Sequence, residues 1–392
     1  MIRKTALVLA VVLTFVSATP ALASPWTRNM QGLFQDLQEL LVLTLDDARF
    51  SDPKNSARIE ETASTLKDRA HDVGRMREKA PDADPSLGIF AAYLQDESGR
   101  AYEAWKSGHK EYARSLFRGM AATCVACHSR TAAGSKLKWD FSTGFARGLS
   151  NLQQAELLAA GRSFDAALVE FEKIVADPEL AKTRPTDWNR ALRFALAISI
   201  RTQRDPAKAL AIVEKASKMS GVPQTSKASM RDWTRSLKAW RAEKATGKIE
   251  PSTEAQLNRE AHRLMDLARA TQRHPMDRAA DVLYLRASST LHQQLQVAPE
   301  GEKSGEALQL LGLSYGVLRD FDLWDLNEVY YEACIHRAPH SETAEGCYRH
   351  LEESVVAGYT GSAGTDVPGG AKKKLETLRK LAAAPSIGKK LK

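Results

Sequence analysis

Five consecutive residues, Cys124-Val125-Ala126-Cys127-His128, have types and spacing suited to one particular chemistry. Two thiols three positions apart can form thioether bonds with the two vinyl groups of a haem, and the imidazole that follows can ligate its iron. A thioredoxin-like redox pair would need a βαβ context, which the sequence lacks. Half of a zinc site would need a second ligand pair nearby, and Cys334 and Cys347 lie far downstream. We therefore predict covalent haem c, with His128 as the proximal ligand.

The elements that must position this motif are helices. Apolar residues recur at three-and-four spacing almost everywhere, and no convincing alternating strand pattern is found, so the sequence predicts an all-α fold. Residues 24–130 form a predicted haem domain with four helical stretches joined by short connections, as in an up-down bundle. These stretches run from about 27 to 47, from about 55 to 79, from about 85 to 106 and from about 110 to 130.

A haem motif at the end of a fourth helix resembles the class II c-type cytochromes, the cytochrome c′ and cytochrome c556 group. The resemblance covers residues 26–130, and it implies a haem held inside the bundle with its distal side covered by the first helix. Low-spin members use a methionine of that helix as sixth ligand, whereas high-spin members leave the position open. The segment Arg28-Asn29-Met30-Gln31-Gly32-Leu33 is similar to the low-spin pattern and implies Met30 as distal ligand, 98 residues before His128.

Other residues compete for these roles. Met30 could simply fill the core, and Met76, His71, Met120 and His109 are alternative ligands, each more easily explained as structural or exposed.

Family members often carry a basic residue shortly after the histidine, near a haem propionate. Arg130 is a weak candidate for that position. Leu116 and Phe117 are expected either to pack against the porphyrin or to be ordinary core.

Downstream of a linker at residues 131–144, residues 145–360 read as a series of helix pairs. In the segments 161–174 and 204–216, a small residue is followed four positions later by a larger apolar residue. A further apolar residue follows three positions after that. A third copy of the pattern begins at Leu311-Gly312. The pattern resembles degenerate tetratricopeptide repeats, and an irregular helical domain is the alternative. Residues 361–392 are predicted to be a loop followed by a basic helix.

Cys334 lies late in one predicted helix and Cys347 early in the next. Adjacent helices of a repeat pack face to face, so the two are predicted to form a disulfide, with two buried thiols as the alternative.

The N-terminus has the pattern of a secretory signal. Arg3 and Lys4 precede an apolar run, and Ala21-Leu22-Ala23 has the form of a cleavage site, so residues 1–23 are predicted to be removed on export to the periplasm. Cleavage lowers the formal net charge from +8 to about +6, because no acidic residue leaves with the two basic ones. The mature chain is expected to contain no transmembrane segment and to bind no nucleic acid.

These expectations combine into one functional hypothesis. The chain is predicted to be an exported monohaem cytochrome that transfers electrons, with the repeats docking a redox partner or an envelope complex. No catalytic constellation is found, so an enzyme is not expected. A haem-based gas sensor with an open sixth position and a scaffold with a structural haem are the alternatives.

Overall fold

The structure, a computed structural model, consists almost wholly of helices. It describes residues 24–44, 47–79, 84–130, 149–247, 250–319, 323 and 325–383. The all-α prediction is confirmed for this part of the chain. The predicted signal peptide and the predicted linker at 131–144 lie outside the described residues.

The N-terminal region contains four long helices and one short one. They are α1 (Pro25–Leu43), α2 (Asp47–Ser51), α3 (Pro53–Met76), α4 (Pro85–Lys106) and α5 (Lys110–His128), with a 3-10 turn at Arg77–Lys79 after α3. The helix α2 was not predicted, because its five residues are too few to show a periodic pattern. The four long helices pack in chain order, α1 on α3, α3 on α4 and α4 on α5, and α1 also contacts α5.

Aspartate followed by proline fixes several helix starts. At Asp52-Pro53 and Asp84-Pro85, the aspartate caps the helix with its side chain and the proline occupies the first turn. An N–H group in the first turn has no partner within the helix, so proline, which has no N–H, loses no hydrogen bond there. Its fixed φ is also close to the helical value. The Asp84 carboxylate accepts the Ser86 N–H at 2.7 Å. The beginning of α4 is therefore specified locally by the sequence.

Twelve further helices follow in the described part of the chain. They are α6 (Asn151–Ala160), α7 (Phe164–Val175), α8 (Pro178–Thr183), α9 (Pro185–Ala197), α10 (Pro206–Ser217), α11 (Gln224–Ala245), α12 (Glu254–Thr271), α13 (Asp281–Val297), α14 (Ser304–Leu318), α15 (Leu326–Arg337), α16 (Glu342–Gly358) and α17 (Gly369–Ala382). A π-helical turn, Ile198–Thr202, continues α9. The predicted loop after α16 contains a small hairpin, Thr360–Gly361 paired with Gly364–Thr365, that was not expected.

Most of these helices pack on a neighbour along the chain, and small residues allow close approach. The pairs α12 with α13, α14 with α15 and α15 with α16 are in extensive contact. On α14, a Cβ built at Gly312 would overlap the ring of Tyr331 on α15, so this helix pair depends on a residue without a side chain. Cys334 and Cys347 join α15 to α16 through a disulfide, with a Cα–Cα distance of 6.3 Å.

The N-terminal helices also pack against the later ones. The Tyr93 hydroxyl on α4 donates to the Asp325 carboxylate at 2.8 Å, and Ser86 Oγ lies 3.1 Å from His292 Nδ1 on α13. The Phe90 ring lies edge-on to Tyr330 of α15, with the centroids 6.4 Å apart. The beginning of α4 is thus enclosed by residues from both regions. Among the described helices, none combines the length and apolar character needed to cross a bilayer.

We expect Gly312→Ala to destabilise the protein by about 1–3 kcal/mol, because the added methyl group overpacks the contact with Tyr331. Gly316→Ala on the same helix is the matched control, since its Cβ would meet Asn327 at an ordinary 3.8 Å. Urea unfolding followed by circular dichroism measures both. Equal midpoints for the two variants would contradict close packing at Gly312.

Candidate haem-binding site

A largely apolar cavity lies between the N-terminal helices and the turn that follows α6. It contains about 990 Å³ of empty space when its open mouth is included. Its apolar walls include Trp26, Leu33 and Phe34 on α1, Val73 on α3, and Phe90 and Leu94 on α4. Aromatic and aliphatic walls of this kind exclude water and suit a flat, mostly apolar ligand.

The Cys-x-x-Cys-His motif occupies the last turns of α5 and faces this cavity. Cys124, Cys127 and His128 all line it, and neither cysteine is in a disulfide. Residues three apart on a helix lie on neighbouring parts of the same face, which explains how one short motif directs both sulfurs to one cavity. Burial raises the pKa of the Cys124 thiol to about 12.

A backbone carbonyl orients the imidazole of His128. His128 Nδ1 lies 2.7 Å from the carbonyl oxygen of Ala160, at the end of α6. Because a carbonyl oxygen only accepts, Nδ1 carries the hydrogen, and Nε2 is the ring nitrogen with the lone pair that a metal would require. Metal-binding histidines in proteins usually have such a partner on the other ring nitrogen.

Met30 lines the same cavity from the first helix. Its side chain is partly buried against the core, and the neighbouring Asn29 fixes the start of α1 by donating to the Arg69 carbonyl at 3.0 Å. The structure therefore brings Met30 and the motif to one cavity. The alternatives Met76, His71, Met120 and His109 are not among the residues of this cavity wall.

Arg130 also reaches the cavity, but its guanidinium is turned inward. It forms a buried ion pair with Asp84, at 2.9 Å from Nη2 to the carboxylate, and its Nη1 donates to the Cys127 carbonyl at 2.9 Å. The side chains of Arg130 and Asp84 are 1% and 0% exposed. The main partner of Arg130 in this structure is thus a carboxylate of the protein itself, and its role towards a propionate stays a prediction.

Several residues of the cavity wall were not predicted from the sequence. Trp26, Phe34 and Phe90 lie on helix faces that read simply as core. Ala160 and Arg162 come from the turn between α6 and α7, more than thirty residues after the motif, and no local spacing connects them with it. Phe117 was expected either at the porphyrin or in the core, and it packs edge-on against Phe50 in the core.

A buried carboxyl group lies behind the motif. Thr123, which precedes Cys124 and lines the cavity, donates to Glu97 of α4 at 2.6 Å. Burial raises the pKa of Glu97 to about 7, although the Thr123 hydrogen bond and Arg100 lower it. Asp96 and Asp325 add to the upward shift.

The residues present fit a covalently attached haem c. Two thiols, an imidazole held through Nδ1, a thioether and apolar walls meet at one cavity. These are the attachment points and the ligand types that such a group requires. Cys334 and Cys347 are engaged with each other in the disulfide. No protein-family model, no curated protein and no solved structure matches the chain.

Asp84→Ala is expected to lower the free energy of unfolding by about 3–5 kcal/mol, because Arg130 would remain buried without its carboxylate. Asp52→Ala is the control, since Asp52 caps α3 in the same way and contributes only about 0.5–2 kcal/mol as a cap. Chemical unfolding measures both. A cost for Asp84→Ala no larger than for Asp52→Ala would show that the ion pair adds nothing.

Glu97 should make stability depend on pH. Because its folded pKa is raised, its stabilising contribution is complete below about pH 4.5 and is lost as the pH rises through about 7. Relative to the wild type, Glu97→Gln should therefore gain up to about 3 kcal/mol between pH 5 and pH 8. Glu103→Gln, at an exposed position on the same helix, should show no such gain. Parallel pH profiles for wild type and Glu97→Gln would exclude this titration.

Proposed function

We propose that this protein is an exported c-type cytochrome that carries one covalent haem and transfers electrons. The main support for this proposal is that one apolar cavity is lined by Cys124, Cys127, His128 and Met30. The motif alone predicts attachment. Met30 lies on α1 and the motif lies on α5, and both line the same cavity. This arrangement supports a six-coordinate, electron-transferring iron.

Each residue has a distinct role in this proposal. The two cysteine thiols attach the group, and His128, held by the Ala160 carbonyl, provides the proximal imidazole. Met30 provides a neutral thioether, a ligand that favours the reduced metal. When bound, the haem supplies an iron that alternates between the ferric and ferrous states. The apolar walls exclude water, and no substrate has to be transformed.

The architecture is proposed to consist of a class II-type four-helix bundle followed by helical repeats. The packing of α1, α3, α4 and α5 in chain order, with α1 also against α5, supports the bundle. The pairwise packing of later helices and the close approach at Gly312 support the repeats. Stacked repeats commonly present a surface for another protein, which we infer here to be a redox partner or an envelope complex.

The proposed location is the periplasm. Residues 1–23 have the pattern of a signal peptide. The disulfide between Cys334 and Cys347 supports an oxidising compartment, because disulfides are rare in the cytosol. The modest positive charge of the mature chain suits an acidic partner.

Replacing Met30 tests the function directly. In the wild-type protein, purified with its haem attached, we expect a low-spin spectrum with a methionine-to-iron band. Met30→Ala should convert it to a high-spin spectrum, allow CO to bind and lower the midpoint potential, because the thioether is lost. Met76→Ala, on α3 and outside the cavity wall, is the control and should leave all three measurements unchanged.

Two results would contradict the proposal in different ways. A wild-type protein that is already high-spin and binds CO would favour a gas binder or sensor. A wild-type protein without covalent haem, after expression with a cytochrome c maturation system, would remove the basis of the proposal altogether.

A further inference from the structure

The cavity that contains the haem motif is completed by residues from outside the N-terminal helices. Ala160 and Arg162, on either side of Gly161, line it together with His128. They belong to the turn between α6 and α7, the first helix pair of the region predicted to form repeats. The predicted haem domain, residues 24–130, therefore lacks part of its own cavity wall.

Hydrogen bonds hold this turn in one conformation. The Gly161 N–H donates to the Leu157 carbonyl at 2.9 Å, and the Ser163 N–H donates to the Leu158 carbonyl at 2.8 Å. Arg162 has a φ of +62°, in the left-handed region that non-glycine residues rarely adopt. Ala160 is 1% exposed, so its carbonyl is held in a packed environment. The carbonyl that His128 meets is consequently placed by the α6–α7 pair.

We propose that the turn at Ala160–Ser163 is part of the haem site and sets the potential of the iron. This inference rests on the proposed function. The Ala160 carbonyl accepts from His128 Nδ1, which makes the imidazole a stronger donor and stabilises the ferric state. Arg162 lines the cavity, so its positive charge would lie near a haem bound there and would stabilise the ferrous state.

The chain contains a matched control for Arg162. Arg204 has a φ of +51° and lies in the equivalent turn before α10, as Arg162 does before α7. Arg204 donates to Gln293 at 2.9 Å and lines a different groove, with Trp240 and Glu243. A substitution there removes the same type of residue from the same type of turn, away from the haem motif.

The test measures the midpoint potential of the full-length, haem-loaded protein. Arg162→Ala should change the ferric-to-ferrous ratio at a fixed ambient potential by up to about tenfold towards the ferric state, equivalent to about 59 mV for one electron. Arg162→Lys should restore most of the potential, and Arg204→Ala should leave it unchanged. The methionine-to-iron band should persist in all three variants.

A second variant tests the carbonyl. Gly161→Pro removes the N–H that pairs with Leu157 and pushes Ala160 out of helical geometry, so its carbonyl should turn away from His128. The potential should then rise, opposite to the effect of Arg162→Ala. Gln203→Pro, at the equivalent position before Arg204, controls for damage to the turn itself.

The failures of the two proposals are distinguishable. If the wild type carries a methionine-ligated haem but Arg162→Ala and Gly161→Pro match their controls in potential, the turn is not part of the site, and the proposed function stands. If the wild type lacks covalent haem or methionine ligation, the proposed function itself fails, and with it the premise of this inference.

Discussion

The buried ion pair between Arg130 and Asp84 is the interaction on which the rest of the site depends. Both side chains are withdrawn from water, which is costly unless every polar atom finds a partner. Asp84 satisfies this requirement by accepting from Arg130 with one carboxylate oxygen and from the Ser86 N–H with the other. Arg130 in turn donates to the carbonyl of Cys127. One ion pair thus joins the beginning of α4 to the end of the helix that contains the Cys-x-x-Cys-His motif, and it fixes the orientation of that motif.

The same polar core joins the two regions of the chain. Ser86 contacts His292 Nδ1, and His292 Nε2 lies 2.9 Å from the Tyr315 hydroxyl on α14. Burial, together with the positive charges of Arg130 and Arg201, lowers the pKa of His292, so its ring is neutral and can both donate and accept. Ser86 and His292 come from different regions, so separating the regions would break this buried hydrogen bond.

Much of this arrangement could be predicted from local sequence. The motif and Met30 were predicted to belong to one site, and both line the same cavity. Asp84-Pro85 indicates the start of α4. The partner of Arg130 could not be predicted, because Asp84 precedes it by 46 residues and reads simply as a helix cap. Ala160 and Arg162 were missed for a related reason. A backbone carbonyl has no sequence signature, and an arginine in a turn gives no indication of which distant helix it faces.

The charge balance of the interior extends this reasoning to the proposed redox role. Arg201 is fully buried, hydrogen-bonds to Ser288 Oγ at 2.8 Å and stacks over the Tyr315 ring, and within the described residues it has no carboxylate partner. The polar core around His292 thus contains two guanidinium groups, those of Arg130 and Arg201, and one carboxylate, that of Asp84, while the histidine itself is neutral. In a medium of low dielectric constant, this surplus positive charge is weakly screened. It would favour the less positive, ferrous state of a nearby iron, in the same direction as the proposed thioether ligand, whereas ionisation of Glu97 above its pKa of about 7 would oppose it.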